Sequence, residues 1–189
     1  MMFIPRRTGM RRPPIGRAEM ALHVAHQLLS TDHPEEAARI FNTLADGMDM
    51  RGMKIRAAMI RMQAAYVEAL SNMSLQAVRS AGLALDILAV ANQPMKTAAS
   101  TGRVINVLRQ KGHEKEAAEL EAKVDALLEK AGSSRQQVMQ QLAAARGQHH
   151  GELPAKCPSC GGSLLPDEVE WHDASTASCT YCGSAVKAS

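Results

Sequence analysis

From residue 16 to about residue 130, apolar positions recur at three- and four-residue intervals, the spacing that builds one buried stripe on a helix. In 114–130 that stripe is Ala117, Leu120, Val124, Leu127 and Leu128, with charged residues opposite. Short polar breaks interrupt the pattern and predict helical hairpins: 16–30 with 34–48, 53–71 with 74–91, and 95–110 with 114–130. Helix starts are marked by Pro34 followed by Glu35 and Glu36, by Ser74, by Pro94, and by Glu114 with Glu116. Gly112 and Gly132 suit helix ends. A seventh short helix over 133–147, opened by Ser133 or Ser134, would cap the stack.

The pattern repeats with a spacing of forty residues. Ala18, Ala58 and Ala98 share a register, as do Ala37, Ala77 and Ala117, and so do Met48, Leu88 and Leu128. Asp32, Asn72 and Gly112 fall on the same spacing, each a residue suited to a turn. Composition fits a helical reading: 46% of residues are hydrophobic, only 3% are aromatic, and twelve are methionine. Met48, Met50, Met53, Met59 and Met62 cluster at the first hairpin junction, where packing is the expected role.

The segments His33-Pro34-Glu35-Glu36-Ala37-Ala38-Arg39-Ile40-Phe41 and His113-Glu114-Lys115-Glu116-Ala117-Ala118 resemble the second helix of tetratricopeptide-like repeats. That resemblance implies a scaffold whose first helices line a groove for a peptide or partner helix. The unit of forty is longer than the roughly thirty-four of that family, and a closed six-helix bundle would use the same stripes. In the repeat register His23, Gln63 and Arg103 are equivalent, as are His26, Tyr66 and Asn106. The two columns lie three residues apart, so they share a helix face and form the candidate partner-binding surface.

All four cysteines lie near the C-terminus, as Cys157-Pro158-Ser159-Cys160 and Cys179-Thr180-Tyr181-Cys182, separated by eighteen residues. Two such pairs predict a four-thiolate zinc site, because each C-x-x-C turn converges two soft ligands on one tetrahedral ion. Four thiolates leave no open coordination position, so the expected role of one Zn2+ is structural. A redox pair or disulfides are the alternative, but neither a secreted context nor a βαβ pattern supports them. The knuckles C-P-S-C-G-G and C-T-Y-C-G-S resemble a zinc ribbon over residues 155–188, with strands expected at Leu164-Leu165 and Val169-Glu170-Trp171.

The net charge of +3 is unevenly spread. Residues 1–15 carry Arg6, Arg7, Arg11 and Arg12 with no acid and read as a basic arm; Arg17 follows. Residues 148–154 read as a linker containing His149 and His150. In 154–189, two lysines oppose four acids, a local charge of −2, which makes the ribbon a poor phosphate binder. No nucleophile motif, phosphate loop or pair of carboxylates on an apolar face emerges.

The expected architecture is mainly α, with six to seven helices in hairpin repeats over 16–147 and a small zinc-ribbon β module over 155–189. The expected function is a cytoplasmic, non-enzymatic adaptor or assembly subunit that docks a protein partner and has no membrane insertion. A nucleic-acid-associated regulator using the arginine arm and the ribbon is the disfavoured alternative.

Overall fold

A computed structural model describes residues 16–146, 151–166 and 169–189. The basic arm 1–15 and residues 148–150 of the predicted linker lie outside the described residues.

Among the described residues seven helices form in chain order: α1 (Arg17–Ser30), α2 (Pro34–Met50), α3 (Lys54–Leu70), α4 (Ser74–Val90), α5 (Pro94–Gln110), α6 (Glu114–Lys130) and α7 (Arg135–Arg146). The middle five are each 17 residues long and are separated by identical three-residue turns. Every turn has one residue with positive φ: Asp32, Gly52, Asn72, Asn92, Gly112 and Gly132, each twenty residues from the last. The following amide then reaches back to the helix: His33 N–H to the Leu28 carbonyl, Met53 to Met48, Met73 to Glu68, Gln93 to Leu88, His113 to Leu108 and Ser133 to Leu128, at 2.8–3.1 Å. This is the Schellman closure, which satisfies carbonyls that the helix end would orphan.

The structural period is therefore twenty, half the spacing visible in the sequence. Burial follows it. The fourth helical residue is sealed in each of these five helices (Ala37, Ala57, Ala77, Thr97, Ala117), and so is the fifteenth (Met48, Glu68, Leu88, Leu108, Leu128). The small fourth residue lets neighbouring helices approach closely, and the larger fifteenth fills the space at the other end. Consecutive helices pack as neighbours along the array, and α7 packs on α5. Among the described residues no helix is long and apolar enough to cross a membrane.

The central helix α3 departs from the amphipathic rule. It is buried nearly all round, polar Arg61, Gln63 and Glu68 included. Arg61 pairs with Asp46 at 2.5 Å, and Glu68 accepts a 2.8 Å hydrogen bond from the Asn42 amide. Burial raises the Glu68 carboxyl above its ordinary value. Of the methionines at the first junction, Met48, Met59 and Met62 are core residues, whereas Met50 is exposed.

The C-terminal residues form a small module with a three-stranded antiparallel sheet: β1 (Glu170–Trp171), β2 (Thr176–Ser178) and β3 (Ala185–Lys187), in that spatial order. The Val169-Glu170-Trp171 expectation matches β1, but Leu164-Leu165 forms no strand. Leu164 is instead tucked into the core beside a lone bridge between Lys156 and Ser163. Gly151 and Glu152 belong to the module by hydrogen bonding. Glu152 and Ser189 exchange backbone bonds at 3.0 Å, and the Gly151 amide donates to the Ala174 carbonyl at 2.9 Å.

Candidate metal centre and the helical face beneath it

Each C-x-x-C turn is built by its own backbone. The Gly161 amide donates to the Cys157 carbonyl at 2.9 Å and the Cys157 amide to the Gly162 carbonyl at 2.8 Å. In the second turn, the Gly183 amide donates to the Cys179 carbonyl at 2.8 Å, and the Cys179 amide to the Ser184 carbonyl at 2.9 Å. Gly161 and Gly183 hold φ of 75° and 74°, the left-handed region that glycine adopts without strain.

The two turns bring the four sulfurs of Cys157, Cys160, Cys179 and Cys182 within 4.8 Å of one another. Cys157 and Cys182 Sγ are 3.7 Å apart, and Cys160 and Cys179 Sγ are 3.8 Å apart. These separations are far too long for disulfides, whose sulfurs lie about 2.0 Å apart. They match the edge of a tetrahedron of thiolates, each about 2.3 Å from a central ion. Without a cation the sulfurs compete for protons. Hydrogen bonding, chiefly from Cys160, drives the Cys157 thiol far below its ordinary value, and the same contact pushes Cys160 up. A bound cation relieves that competition by favouring all four thiolates at once. The donor set could therefore hold a metal ion. Among the described residues, no other cluster of three or more His, Cys, Asp or Glu side chains converges in this way.

The cysteine cluster lies against the helical array. Tyr181, inside the second C-x-x-C turn, is 2% exposed, and its hydroxyl donates to Gln63 Oε1 at 3.1 Å. The His26 ring stands edge-on between Tyr181 and Phe41, with centroid distances of 5.6 and 5.1 Å. Gly162 is pinned at this seam. A Cβ there would fall 2.6 Å from the Tyr181 ring and 2.8 Å from His26 Nε2, so the seam needs a residue without a side chain. A Cβ on Gly161 would meet His23 Nδ1 at 3.3 Å, and one on Gly183 would overlap the Arg56 guanidinium. Lys96 reaches Glu170 at 3.9 Å.

Burial is the main reason the His26 imidazole is pulled down to about 4, with nearby Lys156 and His23 adding to the effect and Cys182 opposing it. Its Nε2 is buried without a hydrogen-bond partner.

The six residues of the candidate partner-binding surface are distributed as follows. His23 and His26 on α1 and Gln63 on α3 lie against the cysteine module. Tyr66 is next on α3, and the Arg103 guanidinium sits over its ring at 5.7 Å. Asn106 is exposed on α5. His26, Gln63 and Tyr66 also line a cleft of about 500 Å³, together with Lys156, Gly161 and Ser163 of the module.

Tyr181 and Gly162 were not singled out from the sequence as face-contacting residues. The available signal was a tyrosine inside a C-x-x-C turn, in a module with few apolar residues to shelter it. Compared with protein-family models, curated proteins and solved structures, the chain matches none.

Proposed function

We propose that the chain is a non-enzymatic adaptor or assembly subunit, a tetratricopeptide-like array that docks a protein partner and carries a zinc ribbon. One observation carries this reading: the face lined by α1 and α3 holds a folded piece of polypeptide, with Tyr181 seated between His26 and Gln63. A surface that combines an aromatic edge, an amide acceptor and small residues suits a protein ligand better than a small metabolite. The cleft beside the seat, bordered by His26, Gln63 and Tyr66, extends that surface toward solvent.

Zinc is the ion of choice for the four-cysteine centre. Four thiolates in a tetrahedron are its preferred structural shell, and the closed shell leaves it no reactive position. Cys157, Cys160, Cys179 and Cys182 would hold it; the remaining residues of the module shape the surface that meets the helices.

The test is affinity capture with the intact chain and with Tyr66→Ala and Arg103→Glu variants, each checked for an unchanged thermal transition. Loss of a captured protein in the variants supports the reading. Equal capture by all three chains removes this face from the account.

A further inference from the structure

Several contacts that seat the module on α1 and α3 come from residues inside a cysteine turn or directly after one. Tyr181 lies between Cys179 and Cys182; Gly161 and Gly162 follow Cys160; Gly183 follows Cys182. The strands add the outer Lys96–Glu170 pair, the Ser178 border of a cleft beside Ile55 and Arg56, and Val186 in the shared core. The turns that four ligands would shape are thus among the elements that dock.

The module has little else to keep it folded. Its strands are two, three and three residues long, and apart from the cysteines the sealed apolar side chains among its described residues are Leu164, Ala177, Tyr181 and Val186. A core of that size does not offset the entropy of ordering some forty residues, so a metal supplies the difference. Helices α3 through α7, by contrast, have a continuous core without the module, whereas α1 and α2 share theirs with it.

We infer that the C-terminal module is a metal-latched cover over the α1–α3 face. With the ion bound, the two turns hold Tyr181 and Gly162 against His26 and Gln63 and close the face. With the ion removed, the turns lose their geometry, the cover lifts, and a seat is vacated. That seat fits a partner presenting a tyrosine on a tight, small-residue turn: it offers the edge of His26, the Phe41 ring behind it and the Gln63 oxygen as hydroxyl acceptor. The inference rests on reading this face as the docking surface. The latch itself is measured without any partner.

His26 is the reporter. Its Nε2 is buried under the module, whereas His33 is exposed in the turn before α2. The full-length chain is treated with diethyl pyrocarbonate in three states: loaded with zinc, stripped by a chelator, and reloaded. Carbethoxylation of each histidine is read by mass spectrometry, and helix content by far-ultraviolet circular dichroism. The expected result is a rise of about tenfold or more in His26 labelling on stripping, reversed on reloading, with His33 labelling and helix content unchanged. A Cys160→Ser chain should match the stripped state without chelator.

Three outcomes overturn the latch: His26 stays protected after stripping, His26 is already labelled in the loaded chain, or helix content collapses together with the module. If the cover lifts as expected but Tyr66→Ala does not change capture, the latch stands and the docking reading fails.

Discussion

The two halves of this molecule reach order by opposite routes. The helical array repeats one rule: a positive-φ residue in each of six turns twenty positions apart and, in the five middle helices, a small residue sealed near the start and a large one near the end. No single turn decides the outcome, because each unit is supported by its neighbours. The cysteine module has no repetition and almost no core, and it concentrates its order in four sulfur atoms. Damage should therefore be graded in the array and all-or-none in the module.

The largest expected effect is on the module side. Cys160→Ser should abolish metal retention and unfold residues 151–189 while the helices persist, because apparent binding energies of structural zinc sites are on the order of 10 kcal/mol. Amide signals of β1–β3 would collapse to random-coil positions in a nuclear magnetic resonance spectrum, and those of α4–α6 would stay. A module that remains folded without the ion would erase the contrast between the two halves.

In the array, Phe41→Ala removes a fully buried ring that supports both α2 and His26. The expected cost is about 3–5 kcal/mol, read as a lower denaturation midpoint with the transition still cooperative.

The seam between the halves should respond to acid. The folded chain keeps His26 neutral down to about pH 4, whereas the unfolded chain protonates it near 6.5. Between those values the unfolded state binds the extra proton, so stability is full above pH 6.5 and falls as pH drops toward 4. The loss is on the order of 3 kcal/mol. His26→Phe, compared with the native chain at equal zinc occupancy, should flatten that slope. Parallel slopes would show that His26 is not sheltered by the module.

The smallest effect tests the turn rule itself. Gly112 holds φ of 82° with open space around its Cα, so Gly112→Ala should cost only about 1 kcal/mol, all of it backbone strain. A cost several times larger would mean that the turn carries contacts beyond its conformation.

Much of the array was legible in the sequence, because helix starts and turn residues act locally. Pro34, Pro94, Glu114 and Gly112 each announced a boundary that the structure has at or beside the same residue. The half-period was hidden by α3 and α5, where Arg61, Glu68, Thr97 and Thr101 occupy positions that the even-numbered helices mostly give to apolar residues. Partners far away in the chain, Asp46 for Arg61 and Asn42 for Glu68, make that burial tolerable, and no local pattern reveals them. The cysteine spacing likewise disclosed a convergent thiol cluster, since two C-x-x-C turns fix ligand geometry within a few residues. The docking of that cluster onto α1 and α3 was not legible, because the Tyr181–Gln63 contact spans 118 residues.

The proposed seating of the cysteine turns on the helical face by a bound ion is tested most directly by nuclear Overhauser contacts in the zinc-loaded chain. Cross-peaks between the Tyr181 ring protons and the rings of His26 and Phe41 are expected when zinc is bound and should vanish when it is chelated. Their absence from the loaded chain would contradict the account.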